Sequence, residues 1–376
     1  MLPLFPRAME CGSHAAAFSS QSFPLTLHPA HSIITPMELH VEPITLNLSA
    51  PFRIAHGTST ERHNVLVRLR DGEHEGWGEA APVRQHHESQ AAVLDYLASV
   101  AEAWPIHTDP FLREDLLAAL PPGSQAGRAA LDIALHDLVA KKMGVPLYRL
   151  FGLNPAFSPA TSLTIGIGPL DEVQAKAAAA PFSILKFKLG PDVEHSLAMV
   201  RAARAVTRAR LVVDANCAWT EAQALHAIPA LAELGVEWVE QPLAEEDVEG
   251  LCRLHRTSPL PLFADEPIRT APDIVRLAGC VDGGNIKLMK AGGLREALRM
   301  IAVARAHGLR VMLGCMIETS LGITAAAHLA PLVDWADLDG NWTVTNDPFT
   351  GVRVDHGRLL LPGGPGLGVT PRSAQA

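Results

Sequence analysis

Charged residues recur about every 25 positions through the middle of this chain, each closing a short apolar run. Lys186-Phe187-Lys188 opens the series. Asp214 in Val-Val-Asp-Ala-Asn, Glu240 in Val-Glu-Gln-Pro, Asp265 in Ala-Asp-Glu-Pro and Lys287 in Asn-Ile-Lys-Leu-Met-Lys follow. Counted from Lys188, the steps are 26, 26, 25 and 22 residues, and a helix-sized stretch fills each interval. That spacing is one strand-plus-helix unit, so three carboxylates and two amines fall at successive strand ends. In a parallel barrel of such units those ends all face one mouth, where active sites sit.

The rest of the chain supports that geometry. From Thr161 onward strand and helix patterns alternate strictly, with strands expected at Leu163–Ile167, Ile184–Leu189, Leu211–Asp214, Trp238–Gln241, Leu262–Asp265, Asn285–Leu288, Val311–Cys315 and Asp337–Asp339. Eight units suggest a closed barrel over an open doubly wound sheet, and no G-x-G-x-x-G follows the first strand of either segment. Residues 37 to 155 read differently. Alternating patterns at Glu38–Leu48, Asn64–Arg70 and Gly76–Ala80 predict antiparallel strands, and Ser89–Ala103 and Gly127–Met143 predict helices. The expected organisation is therefore an α+β domain at 37–155, a (β/α) barrel at 156–345, and a Gly- and Pro-rich segment at 346–376 that packs back on the first domain. Residues 1–36 lack periodicity and read as a disordered tail or a start assigned too early, without the basic start and apolar core of a secretory signal.

Bulk properties narrow the function. Hydrophobic residues make up 48 % of 376, enough for a large core, while the net charge of −9 has no basic run to offset it. Nucleic acid is excluded as the main partner on that ground. No apolar stretch reaches the roughly 20 residues of a membrane span. Five dispersed cysteines without a C-x-x-C pair predict reduced thiols and a cytoplasmic protein.

Lys186 and Lys188 stand at i and i+2 of a strand and share one face, among apolar neighbours that make the strand look buried. Asp214, Glu240 and Asp265 offer three hard oxygens with no His or Cys adjacent, a set that suits Mg²⁺ over Zn²⁺. One such carboxylate alone would read equally well as a helix cap. Lys287 comes from the other side of the trio, so a metal between two amines could serve proton removal from one face of a carbon and return to the other. Taking the α-proton of a carboxylate requires stabilisation of an enediolate dianion, which Mg²⁺ supplies. A lysine beside a metal and a second lysine is expected to have a depressed pKa. Lys290 reads as exposed or structural, and His86-His87 as a solvated loop pair or as readers of a substrate side chain.

Together, Lys-Phe-Lys, Asp-Ala-Asn, Glu-Gln-Pro, Asp-Glu-Pro and Asn-Ile-Lys-Leu-Met-Lys-Ala-Gly-Gly resemble the enolase superfamily, muconate lactonizing enzyme subgroup, over roughly residues 37 to 370. The resemblance implies an α+β capping domain over a (β/α)7β barrel. It further implies Lys188 and Lys287 as the acid/base pair, and Asp214, Glu240 and Asp265 as Mg²⁺ ligands. Lys186 would assist in holding a substrate carboxylate, and Asn216 and Glu266 would stand behind the ligands as hydrogen-bond partners. Asp337-Leu338-Asp339 is similar to the pair by which dipeptide epimerases grip the α-ammonium of a dipeptide, and Thr164, Cys315 and Ile317 match positions lining the dipeptide. Relatives acting on L-Ala-L-Glu carry an arginine in the capping loop after the first strand. The stretch Pro51–Thr60 has none at the matching position, with His56, Arg53 and Arg62 as substitutes, so the second residue stays open between acidic and hydrophobic. The implied partner is a small-molecule dipeptide, with homo-oligomerisation expected by analogy. The rivals are an o-succinylbenzoate synthase / N-succinylamino acid racemase or a cycloisomerase of the same subgroup, and, from another class, a non-catalytic barrel scaffold.

Overall fold

The structure, a computed structural model, describes residues 37–82, 86–103 and 109–372. The expectation for residues 1–36 lies outside them. Three antiparallel strands, β1 (Glu38–Ile54), β2 (Gly57–Asp71) and β3 (His74–Ala80), pair in the order β1-β2-β3. Helices α1 (Gln90–Ala103), α2 (Arg113–Ala119), α3 (Gln125–Lys142) and α4 (Leu147–Leu150) follow. Helix α3 starts two residues earlier than its apolar pattern, because the Ser124 hydroxyl accepts the Gly127 N–H at 3.0 Å and caps it.

The first hairpin corrects the reading of Pro51–Thr60 as a loop. Both strands continue to a two-residue turn at Ala55-His56, with Ile54 opposite Gly57 and a register shift between Asn47 and Phe52. Gly57 has φ +130°, open to glycine and strained for an L side chain. The extension is held from the barrel side, where Ile167 N–H donates to Arg53 O at 2.9 Å and Ser49 N–H to Thr343 O at 2.8 Å. These bonds replace the ladder partners that a projecting hairpin would lack.

Strand β3 lies directly on α3. A Cβ added at Gly78 would stand 1.9 Å from Ala130 O, and one at Gly76 would stand 2.0 Å from Ala134 O. Backbone atoms cannot yield as a side-chain tip can. Gly78→Ala is therefore expected to cost about 3 kcal/mol, the upper end of overpacking changes, read as a lowered urea midpoint at unchanged slope. An unchanged midpoint would refute the close approach.

The barrel strands are β4 (Leu163–Ile165), β5 (Ile184–Lys188), β6 (Arg210–Asp214), β7 (Val236–Glu240), β8 (Leu262–Ala264), β9 (Gly283–Lys287), β10 (Arg310–Gly314) and β11 (Trp335–Asp337). The helices between them are α5 (Leu170–Ala179), α6 (Val193–Arg204), α7 (Glu221–Glu233), α8 (Val248–His255), α9 (Ala271–Leu277), α10 (Leu288–Ala291), α11 (Leu294–Ala306) and α12 (Ser320–Ala327). The strands run parallel in sequence order, and a bridge between Thr161 and Ala336 joins the first to the last. The last strand sits two residues before its expected place, because Trp335 to Asp337 pair with Met312 to Gly314. Asp339 thus lies just beyond the sheet.

Strand periodicity sorts the interior into layers. A lower layer of Ile184, Val212, Trp238, Phe263 and Met312 packs into one buried apolar cluster, with the partly buried Trp335 against it. The rings of Trp238 and Trp335 lie 4.2 Å apart and those of Trp238 and Phe263 5.5 Å apart. Two residues further along each strand stand Lys186, Asp214, Glu240, Asp265, Gly314 and Asp337. A dry aromatic floor therefore underlies a charged layer.

The capping domain and barrel interlock through buried polar groups. The N–H of Leu294 donates to Asp132 Oδ1 at 2.6 Å, so a carboxylate of α3 caps the barrel helix α11. The C-terminal segment returns to the same region: Leu147 N–H donates to Gly366 O and Leu367 N–H to Asp137 Oδ1, each at 2.8 Å. His328 accepts the Tyr148 N–H at Nδ1 and faces Leu367 O with Nε2, and burial pushes its pKa down to about 4.

The expectation of reduced thiols needs one correction. Cys252 in α8 and Cys280 after α9 form a disulfide, while Cys217 and Cys315 are free. Consecutive units stand side by side on the barrel wall, which brings together cysteines 28 residues apart. Among the described residues no helix is long and apolar enough to cross a membrane.

Candidate active site

Register places the charged residues. Lys188 stands opposite Asp214 and Asp214 opposite Glu240, while Gly314 pairs with Lys287 on one side and Asp337 on the other. Thr164 stands opposite Lys186. The strand ends therefore meet at a common level around a cavity of about 780 Å³, walled by the barrel mouth and, through Phe52, Ile54 and His56, by the β1–β2 hairpin.

The three carboxylates converge. Asp214, Glu240 and Asp265 are buried, and one oxygen from each lies within 4.8 Å of the others. Asn285 Nδ2 donates to Glu240 Oε1 at 2.7 Å, and Asp265 N–H donates to Gln241 Oε1 at 2.9 Å. Glu240 Oε2 stands 2.6 Å from Lys186 Nζ but outside hydrogen-bonding alignment. Burial, with the charges of Asp214 and Asp265 adding, pushes the Glu240 carboxyl up to about 8. Three clustered hard oxygens in a dry site, one lacking an aligned donor, fit a small divalent cation of the Mg²⁺ type.

Lysines surround the trio. Lys188 Nζ donates to Asp214 Oδ2 at 2.6 Å and Lys287 Nζ to Asp265 Oδ2 at 2.7 Å, from strands β5 and β9. Lys186 Nζ donates to Asp337 Oδ2 at 2.7 Å and lies 3.3 Å from Asp214 Oδ2. A depressed lysine pKa is expected from the sequence. Burial does press Lys287 downward, but Asp265 and Glu240 overcome it and hold the ammonium form. Lys186 is likewise raised, by Asp337, Glu240 and Asp214 against burial. Of the two readings of Lys290, exposed or structural, the second holds: it is buried and donates to Asp265 Oδ1, Asp265 O and Asn285 O.

Asp337 and Asp339 lie at one end of the cavity and differ sharply. Asp337 binds Lys186 and also accepts from Ser162 Oγ at 2.6 Å. Burial raises its carboxyl, but Lys186 and Lys188 bring it down to about 2. Asp339 accepts the Thr164 N–H and has no ion pair among the described residues. Burial and the Asp337 charge push it up to about 6. Cys315 Sγ donates to Asp337 O at 3.1 Å, and Ile317 O accepts from Asn64 Nδ2 at 3.1 Å. Asn216 Nδ2 donates to Glu266 Oε1 at 3.3 Å. His86 is half-buried in the wall, its pKa pushed down to about 4 by burial and Arg269. Of the basic residues near the hairpin, His56 and Arg62 line the cavity, while Arg53 is exposed and bonds Thr58.

Sequence reasoning missed several supports. Asn285 was detectable, standing two residues before Lys287 on the same strand face. Glu79 and Glu318 had no local signal. Glu79, in the capping domain, accepts from Thr319 N–H, Thr319 Oγ1, Gly322 N–H and Asn64 Nδ2, gripping the start of α12. Glu318 is buried beside it, accepts the Met316 N–H at 2.8 Å, and is pushed up to about 8 by burial with the Glu79 charge adding. The folded state thus favours protonated Glu318, whereas the unfolded chain releases that proton near the ordinary carboxylate value. Between those values the native state holds more protons, so stability falls as pH rises. The Glu318 share of stability is expected to drop by a few kcal/mol from about pH 5 to about pH 8. Glu318→Gln should flatten that slope in urea titrations, and an unaltered slope would refute the assignment.

The chain matches two family descriptions: "Mandelate racemase / muconate lactonizing enzyme, N-terminal domain" over residues 37–152 and "Enolase C-terminal domain-like" over residues 170–375. It is 42 % identical over 340 residues to the L-Ala-D/L-Glu epimerase of Bacteroides thetaiotaomicron, covering 89 % of this chain and 88 % of that one. It is 37 % identical over 344 residues to the hydrophobic dipeptide epimerase of Roseobacter litoralis, covering 88 % and 98 %. The solved structure of a dipeptide epimerase from Enterococcus faecalis V583, complexed with Mg and the dipeptide L-Leu-L-Tyr, superposes with a TM-score of 0.85 at 34 % identity, covering 89 % and 100 %.

Proposed function

We propose, from the premise that the chain belongs to the mandelate racemase / muconate lactonizing enzyme family of the enolase superfamily, that it is an isomerase, a Mg²⁺-dependent dipeptide epimerase. It inverts the α-carbon of the C-terminal residue of L-Ala-L-Xaa-type dipeptides. The observation that carries this reading is the placement of Lys188 and Lys287 on two sides of the carboxylate trio, each anchored to a different member of it.

Asp214, Glu240 and Asp265 would hold Mg²⁺, which when bound supplies positive charge to the substrate carboxylate and so lowers the cost of removing the α-proton. Lys186 adds a fixed ammonium beside that position. One of Lys188 and Lys287 accepts the α-proton as the neutral amine, and the other, as ammonium, returns a proton to the opposite face. Asp339 takes the dipeptide's α-ammonium, because its carboxylate lines the cavity and carries no ion pair among the described residues, whereas Asp337 is already committed to Lys186. Asp337 then acts by holding Lys186 in place. The aromatic floor beneath the charged layer excludes water from below, which strengthens each of these interactions.

The test is a pooled L-Ala-L-Xaa library incubated with the enzyme and Mg²⁺ in D₂O, read by mass spectrometry. Particular dipeptides should gain one deuteron, and Asp339→Asn should abolish the gain. If N-succinylamino acids exchange and no dipeptide does, the rival branch of the family replaces this reading.

A further inference from the structure

Near the carboxylate trio stands a second cluster of different chemistry, two members of which, His56 and Glu266, line the cavity. His56 stands in the turn of the β1–β2 hairpin, Cys217 follows Asn216 beyond β6, and Glu266 follows Asp265 beyond β8. One ligand atom from each lies within 4.8 Å of the other two. His56 Nε2 is 3.9 Å from Glu266 Oε1. The Glu266 side chain is only 8 % exposed, and its Oε2 is buried without a hydrogen-bond partner among the described residues. A buried carboxylate oxygen left in that state is costly unless a donor or a cation meets it.

The ligand types decide which cation. One imidazole nitrogen, one sulfur and one carboxylate oxygen form a poor set for Mg²⁺, which demands oxygen, and a good one for a borderline ion that accepts nitrogen and sulfur. Three protein ligands leave the fourth tetrahedral position to a water molecule. Ligand atoms around a tetrahedral zinc-type ion stand roughly 3.3–3.8 Å apart, given metal–ligand bonds of about 2.0–2.3 Å. The cluster is therefore slightly too open and needs a small inward movement. His56 can supply it, being 41 % exposed at the tip of a turn.

We propose that His56, Cys217 and Glu266 bind one thiophilic divalent cation of the zinc type, separate from the carboxylate trio, and that this ion fastens the hairpin tip to the barrel mouth. On binding, the Cys217 thiol gives its proton to solvent as the metal–sulfur bond forms, and His56 binds as the neutral imidazole. With the thiolate and the Glu266 carboxylate, the dication reaches a neutral complex.

The experiment is a Co²⁺ titration of the full chain held in saturating Mg²⁺, followed by absorption. One equivalent should produce sulfur-to-cobalt charge-transfer absorption in the near ultraviolet. Cys217→Ser should abolish it, and His56→Ala should weaken binding roughly tenfold or more. In the wild-type chain, Zn²⁺ should protect Cys217 but not Cys315 from alkylation, located by peptide mass. Absence of the absorption, its persistence in Cys217→Ser, or alkylation of Cys217 unaffected by Zn²⁺ would overturn the site. None of these readouts uses dipeptide turnover, so the outcome is independent of the epimerase reading.

Discussion

Replacing either Lys188 or Lys287 with alanine should lower epimerisation by at least about 10²–10⁴-fold, the usual contribution of a positioned general acid or base. The two variants should fail differently. In the proposed mechanism an epimer is deprotonated by the lysine on the side of its α-hydrogen, so removing one lysine spares the exchange catalysed by the other. Each variant should therefore still exchange deuterium into one epimer, and the two should spare opposite epimers. The fold should survive both changes. Asp214 keeps Lys186 at 3.3 Å when Lys188 is lost, and Asp265 keeps Lys290 when Lys287 is lost. Proton NMR of separately prepared L,L and L,D dipeptides in D₂O decides the matter. If both variants lose exchange with the same epimer, the two-face assignment is wrong.

Disabling the carboxylate trio should eliminate exchange with both epimers at once. Glu240→Gln is expected to reduce Mg²⁺-dependent exchange by at least about 10³-fold, equivalent to roughly 4 kcal/mol of transition-state stabilisation. Its effect on the metal-free fold should be opposite to that of Asp265→Asn. Burial and the Asp214 and Asp265 charges press Glu240 toward the neutral form more strongly than Lys186, 2.6 Å away, holds it ionised, so a neutral amide relieves net repulsion. Asp265 holds two buried ammonium groups, Lys287 and Lys290. Removing its charge leaves them uncompensated, at a cost of about 3–5 kcal/mol. Thermal unfolding in chelator should thus show Glu240→Gln at or above the wild type and Asp265→Asn well below it. Equal losses in the two variants would mean that the trio is a structural network with no vacancy for a cation.

Much of this site was legible in one dimension. A strand has period two and a strand–helix unit has a nearly constant length, so Lys188, Asp214, Glu240, Asp265 and Lys287 reach one mouth by local geometry alone. The same rule explains the eight strands. It placed the last strand two residues late, because the Asp-x-Asp pair drew attention to strand chemistry while Trp335 and Ala336 carry the pairing. Composition was a poorer guide to the cysteines, since dispersion in sequence says nothing about adjacency of α8 and the end of α9.

What the sequence determined by itself is the alternation of apolar strand and helix and the charged residue that closes each strand. Those features depend on neighbours within one repeat, where chain connectivity leaves few alternatives. Only the tertiary structure decided the rest: the hairpin tip over the mouth, the burial of Lys290, the pairing of Asp337 with Lys186 while Asp339 meets the Thr164 N–H, and the meeting of His56 with Cys217 and Glu266. The bond from Thr319 to Glu79 spans 240 residues. Contacts of that kind arise when separate elements pack, and each partner's local sequence carries no mark of the other.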